Sequence, residues 1–128
     1  LRSTDEGVAF LVLAEGKTIY HAGDLNDWYW KEESEDWNQE MSAKFRKYIE
    51  PLRDRKIDAA FIPLDPRQEE YYTLGMDYFL ELAKPEKVYP MHFWRKPEII
   101  ERWLEEHPQS QDRDRIVRIT EEGEMFEQ

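Results

Sequence analysis

Two strand-like segments end in side chains able to do chemistry: Tyr20-His21-Ala22-Gly23-Asp24 closes one, and Tyr89-Pro90-Met91-His92-Phe93 closes the other. Gly23 permits a sharp backbone turn, so Asp24 projects from a strand terminus into the loop that follows. A carboxylate there suits metal binding or acid–base work, because the sheet fixes the backbone while the loop leaves an opening. An Asx-turn accounts for the same Asp24, and a satisfied core imidazole accounts for the same His92. Together the two side chains match the donor set of a hard or borderline cation such as zinc, but a catalytic zinc takes about three protein ligands.

The remaining candidates carry weaker signals. His107 stands before Pro108 at a helix C-terminus, where a partly cationic ring favours the helix dipole. His21 precedes Asp24 within a strand and leaves it in a different direction. Asp27, Asp65 and Glu69 fall in loops, where most carboxylates are merely solvated. Trp28, Tyr29, Trp30 and Trp37 form an aromatic cluster that serves either as packing or as a stacking platform. No Gly-rich phosphate loop and no nucleophile elbow is present.

Positioning these groups requires a framework, and the pattern of apolar residues supplies one. Val8 to Ala14 is a nearly unbroken apolar run of the kind found in buried strands. A turn at 15–17 and the segment Thr18 to His21 complete a hairpin. Asp24 to Trp37 reads as a loop, long enough to suggest function. Met41, Phe45, Tyr48, Ile49 and Leu52 mark a helix closed by Pro51. Ile57 to Pro63 is a second buried strand. Tyr72, Met76, Phe79, Leu80 and Ala83 mark another helix, terminated by Lys84-Pro85, with Gly75 as a place for it to begin. Lys87 to Pro90 is a short strand, and Pro97 opens a helix carrying Ile99, Ile100, Trp103 and Leu104. Residues 109–115 form a solvated connector, followed by short strands at Ile116 to Thr120 and Glu124 to Glu127. Strands alternating with helices predict a layered α/β domain spanning 1–128.

The ordered combination resembles the metallo-β-lactamase superfamily over about residues 3 to 105. Gly7 to Val12 followed by Ile19-Tyr20-His21-Ala22-Gly23-Asp24-Leu25-Asn26 is similar to that family's fourth motif, Ile57 to Pro63 to its following strand, and Pro85 through His92-Phe93 to its fifth motif. The resemblance implies the C-terminal half of a four-layer αβ/βα sandwich. By the same resemblance Asp24 bridges two zinc or other divalent ions and His92 completes the second, with Asn26, Trp28 and Trp30 shaping the substrate pocket and His21 behind the ligands. The implied reaction is hydrolysis of an ester, amide, lactone or phosphodiester in a small-molecule substrate. The family's upstream His-x-His-x-Asp-His motif and further His are missing, since the histidines are His21, His92 and His107. The chain opens on Leu1 and its first methionine is Met41. The expectation is therefore an incomplete metal site, finished by an N-terminal half or by a second chain, with scope for oligomers through the face left bare. A rival reading is a non-catalytic binding module built on the Trp28–Trp37 aromatics. Another is a metal-free glycosidase pairing Asp24 with Asp27 or Asp65.

Composition narrows the partners. The 128 residues hold 18 Lys plus Arg against 29 Asp plus Glu, a formal net charge of −11. That balance disfavours a nucleic-acid backbone or an anionic membrane surface, both of which call for clustered cations. No apolar run reaches the roughly 20 residues of a membrane helix. The lack of cysteine excludes disulfides and thiolate metal sites and fits a cytoplasmic setting.

Overall fold

The computed structural model describes residues 1, 3 and 7–119. It is a mixed α/β structure with four strands, β1 (Phe10–Ala14), β2 (Lys17–His21), β3 (Lys56–Pro63) and β4 (Lys84–Met91), in the order β1-β2-β3-β4. Three helices, α1 (Glu35–Ile49), α2 (Leu74–Leu82) and α3 (Glu98–Glu106), lie between and after the strands. β1 and β2 are antiparallel, joined by a two-residue turn in which Glu15 (φ 52°) and Gly16 (φ 78°) are both left-handed. Such a turn matches the twist of the strands it connects. β2, β3 and β4 are mutually parallel, as expected of strands joined through helices.

The pleat sends alternate residues to opposite faces. Leu11, Tyr20, Ala60 and Val88 fall in one row across the sheet. They share a core with Phe45 and Ile49 of α1, Met76 and Phe79 of α2, and Ile100 and Trp103 of α3. Tyr20 stacks on Phe79 with centroids 5.7 Å apart. The other face carries the row Phe10, His21, Phe61 and Tyr89 and the row Val12, Ile19, Ala59 and Lys87. Phe10 and Val12 there are 55% and 46% exposed, and Leu13 on β1 is 70% exposed. The apolar run at Val8 to Ala14 thus yields a half-covered strand, with Ala9 and Leu11 packed on the core and Phe10 and Val12 bare among the described residues, not the buried strand its composition predicts. Its sequence is suited to a cover that these residues do not provide.

Other boundaries shift for local reasons. α1 starts before the apolar stripe that announces it, because Ser34 caps it, its Oγ accepting from Trp37 N; Trp37 is therefore helical, not in the loop. Lys84-Pro85 does not merely stop α2 but begins β4, an edge strand able to tolerate proline. Ile116 makes one parallel bridge to Val88 instead of opening a strand; Thr120 and Glu124 to Glu127 lie outside the described residues. Pro51 does end α1, which passes into a short 3-10 turn at Glu50–Leu52.

Two glycines are required by contact. At Gly23 (φ 60°) a Cβ would lie 2.7 Å from the Val8 carbonyl oxygen. At Gly75, in the first turn of α2, it would lie 1.9 Å from Asn26 Oδ1 and 3.2 Å from Asp27 N. Gly75 therefore lets the loop after β2 press against α2. Gly75→Ala is expected to lower stability by about 1–3 kcal/mol, the usual cost of overpacking. Urea unfolding checks this, and a midpoint equal to the parent's would show that the loop has room to move.

Candidate functional site

Three parallel strands end at one edge, and each delivers a side chain to the same spot. His92 directly follows β4, Asp65 lies two residues past β3, and Asp24 lies three past β2. Backbone bonds beyond the strands, Ala22 N to Phe61 O (3.0 Å) and Leu64 N to Met91 O (2.8 Å), hold these ends in register. In open α/β sheets, the crevice beyond the carboxyl ends of the strands is where ligands bind.

His92 Nε2 lies 2.8 Å from Asp24 Oδ1, joining residues 68 apart in sequence. Its Nδ1 is buried without a hydrogen bond and faces Asp65 Oδ2 at 3.4 Å, within ion-pair reach but poorly aligned. The imidazole thus stands between two carboxylates. A neutral ring has one N–H and can donate to one of them; Asp65 is held besides by Arg67 and Trp94. The backbone here is unusual as well. His92 (φ 68°), Trp94 (φ 51°) and Arg95 (φ 63°) are all left-handed, a conformation that costs non-glycine residues energy and clusters at functional sites.

Asp65 is fully buried. Arg67 donates to it through Nε (3.1 and 3.0 Å) and Nη2 (2.7 Å), and Trp94 Nε1 donates at 3.1 Å. Burial works against its charge, but the hydrogen bonds from the side chain and backbone of Arg67 and from Trp94 hold its carboxyl below the usual carboxylate range. Rings surround the imidazole. Trp28 meets it edge-on at 5.4 Å, Trp30 stacks on Trp28 at 5.6 Å, and Trp94 contacts it at 5.8 Å.

The loop carrying Asp24 is fixed by buried polar groups. Asn26 Nδ2 donates to Gln68 Oε1 (3.0 Å), and Gln68 Nε2 donates to the Asp27 carbonyl (2.8 Å). Asn38 of α1 accepts from Trp30 N and donates to Trp30 O, at 2.9 and 2.8 Å. Trp28 Nε1 donates to the Asp24 carbonyl at 2.7 Å.

The structure therefore brings Asp24 and His92 together, with Trp28 and Trp30 beside them. It does not bring in the others. Asn26 is buried against Gln68 and Gly75, fixing the loop and not lining an opening. His21 faces the bare side of the sheet, stacked on Phe61 at 5.5 Å, and its Nδ1 accepts from Gly23 N at 3.0 Å. Trp37 has no ring contact with Trp28 or Trp30. Asp27 is buried and accepts from Ser42 Oγ at 2.6 Å. His107 ends α3 with Trp103 O and Asp77 Oδ2 as partners, a structural role. Asp65, a minor loop candidate in the sequence, and Arg67 and Trp94, which gave no signal, belong to the site. A concavity of about 740 Å³ lies elsewhere, between Lys56, Lys84 and Arg115, and no imidazole lines it.

No family model matches the chain, and no curated protein or solved structure matches it. Among the described residues, no group of three or more His, Cys, Asp or Glu is arranged to hold a metal ion. None of the described helices is long and apolar enough to cross a membrane.

Asp27 yields a pH test of this loop. Burial pushes its carboxyl above the ordinary 3.8, against the Ser42 hydrogen bond and the Arg46 charge. A raised pKa means the protonated form favours the fold: that contribution is complete below 3.8 and is lost as pH rises through the folded value. Asp27→Asn keeps the acceptor for Ser42 without the charge. It is expected to be more stable than the parent at pH 7, with the difference closing towards pH 3. Equal urea midpoints at neutral pH would contradict this.

Proposed function

We propose that this chain supplies part of the active site of a metal-dependent hydrolase of the metallo-β-lactamase type, with Asp24 and His92 as two of the ligands. The observation that carries this reading is the imidazole held between two carboxylates at the strand ends, with Nε2 and Asp24 Oδ1 2.8 Å apart. Bonds of about 2.0–2.2 Å to a tetrahedral zinc set neighbouring donors roughly 3.4 Å apart. A widening of about 0.6 Å would thus seat an ion between these two atoms. The strained backbone at His92, Trp94 and Arg95 supports the same reading.

Two donors make an incomplete site, so the others come from polypeptide outside the described residues. The bare sheet face and the exposed β1 suit such a partner: a second sheet layered on Phe10, Val12, Ile19 and Phe61 would build the C-terminal half into a four-layer αβ/βα sandwich. Parallel strands are normally covered on both faces. The partner is an N-terminal half of the same fold or a separate chain.

When bound, a pair of zinc ions would acidify a shared water and polarise the carbonyl or phosphoryl group under attack. Asp24 would be one of the residues holding them and would offset part of that positive charge. His92 would be another, through Nε2, with Asp65 behind its Nδ1. Trp28 and Trp30 wall off one side from water and present a flat surface to the substrate, a small molecule bearing an ester, amide, lactone or phosphodiester bond. The acidic surface argues against nucleic acid, and the cysteine-free sequence suits a cytoplasmic enzyme.

Zinc binding by the chain alone tests the reading. Equilibrium dialysis with elemental analysis should find no more than one zinc per chain, held weakly. Asp24→Asn and His92→Ala should each weaken it by at least about tenfold. Two tightly bound zinc ions, or binding indifferent to both substitutions, would refute it. In the completed protein Asp24→Asn should abolish hydrolysis, whereas a binding module using the aromatics would keep its partner.

A further inference from the structure

We propose that Arg67, held between Trp30 and Trp94, recognises an anionic group of the substrate, a phosphate or a carboxylate, at the mouth of the Asp24–His92 site. Calling that ligand a substrate rests on the hydrolase reading; its binding does not. Ring contacts close a circuit here. His92 meets Trp28 (5.4 Å), Trp28 meets Trp30 (5.6 Å), the Arg67 guanidinium lies over Trp30 (5.7 Å) and Trp94 (4.6 Å), and Trp94 returns to His92 (5.8 Å). Arg67 is thus the cation of an aromatic collar that includes the imidazole.

Its pose is fixed and half used. Nε and Nη2 grip the buried Asp65, while Nη1 donates to nothing among the described residues. The side chain is 53% exposed, so those N–H groups face solvent. The Trp30 indole N–H has no partner among the described residues either, unlike those of Trp28 and Trp94. A guanidinium gripped on one edge presents its other N–H groups in a fixed plane, matching the paired oxygens of a carboxylate or phosphate. Asp65 cancels much of the charge at long range, so recognition comes from directed hydrogen bonds. The segment after β4 adds Arg95 and Lys96, neither in an ion pair with a described residue, in a chain whose net charge is −11. Trp94, 58% exposed, and the outer part of Trp30 offer flat apolar surface beside the donors. The ligand class that follows is an anion carried on a flat or ring-shaped group.

The test follows the indole N–H resonances of Trp30 and Trp94 by NMR in the metal-free chain, with chelator present. Phenyl phosphate and benzoate are titrated in, with benzyl alcohol as the neutral control. At least one anion should shift both resonances saturably and benzyl alcohol should not; the tighter anion identifies phosphate or carboxylate. Arg67→Ala should weaken the binding about tenfold or more, as loss of a charge-assisted hydrogen bond does. Arg67→Lys, which keeps the charge without the fork, should fall between. Should Arg67→Ala unfold by stranding Asp65, the parent's preference for anions still decides. No shift with either anion, or equal shifts with benzyl alcohol, overturns the proposal. Anion binding alongside zinc binding that is indifferent to Asp24→Asn and His92→Ala would defeat the hydrolase reading and leave this one standing, and weak zinc binding sensitive to both, without anion binding, would do the reverse.

Discussion

An irregular segment that runs beneath other side chains must have its peptide groups satisfied without water, and between Asn26 and Trp30 buried amides do this. Gln68 takes up the Asp27 carbonyl, Asn38 takes both backbone groups of Trp30, and Asn26 ties Gln68 to the loop. An unsatisfied group at any of these points would cost on the order of 1–3 kcal/mol. The amides come from three places, the loop itself, α1 and the turn after β3, so the position of Asp24 depends on helix and sheet packing together. Gly75 belongs to the same arrangement, since only a residue without a side chain lets α2 approach Asn26.

The sheet solves the remaining placement. Three parallel strands converge their C-terminal ends, and the residues just past them, Asp24, Asp65 and His92, meet although they are distant in sequence. The ion pairs themselves do not achieve this. Asp24 is 39% exposed and the His92 side chain 23%, and partly exposed pairs contribute about 0–1 kcal/mol. The framework holds the pair, and the pair is then available for binding.

Periodicity made the helices and the inner strands legible, because Phe45, Ile49, Met76, Phe79 and Trp103 repeat at helical spacing and are buried. Asp24 and His92 were legible because each follows an apolar run at a turn. Arg67 and Trp94 were not, since neither lies in a pattern and each matters through neighbours far along the chain. Asp65 looked like one more loop carboxylate until its burial was seen. Ser34 was hidden by the lack of an acidic residue three positions on, where Trp37 stands. β1 differs from expectation for another reason: its composition suits cover on both faces, and among the described residues only the face carrying Leu11 is packed.

The 68-residue separation between Asp24 and His92 also orders events in time. Closing a loop of that length costs roughly 4 kcal/mol in chain entropy, more than a partly exposed ion pair returns. The contact therefore cannot nucleate folding. The β1–β2 hairpin, being local, can form early, and a chain emerging from its N-terminus presents Asp24 and Trp28 well before the partner imidazole exists. The edge contact between Trp28 and His92 arises only when β4 docks on β3. Quenching of Trp28 emission by that ring would then mark the docking of β4, not the first collapse.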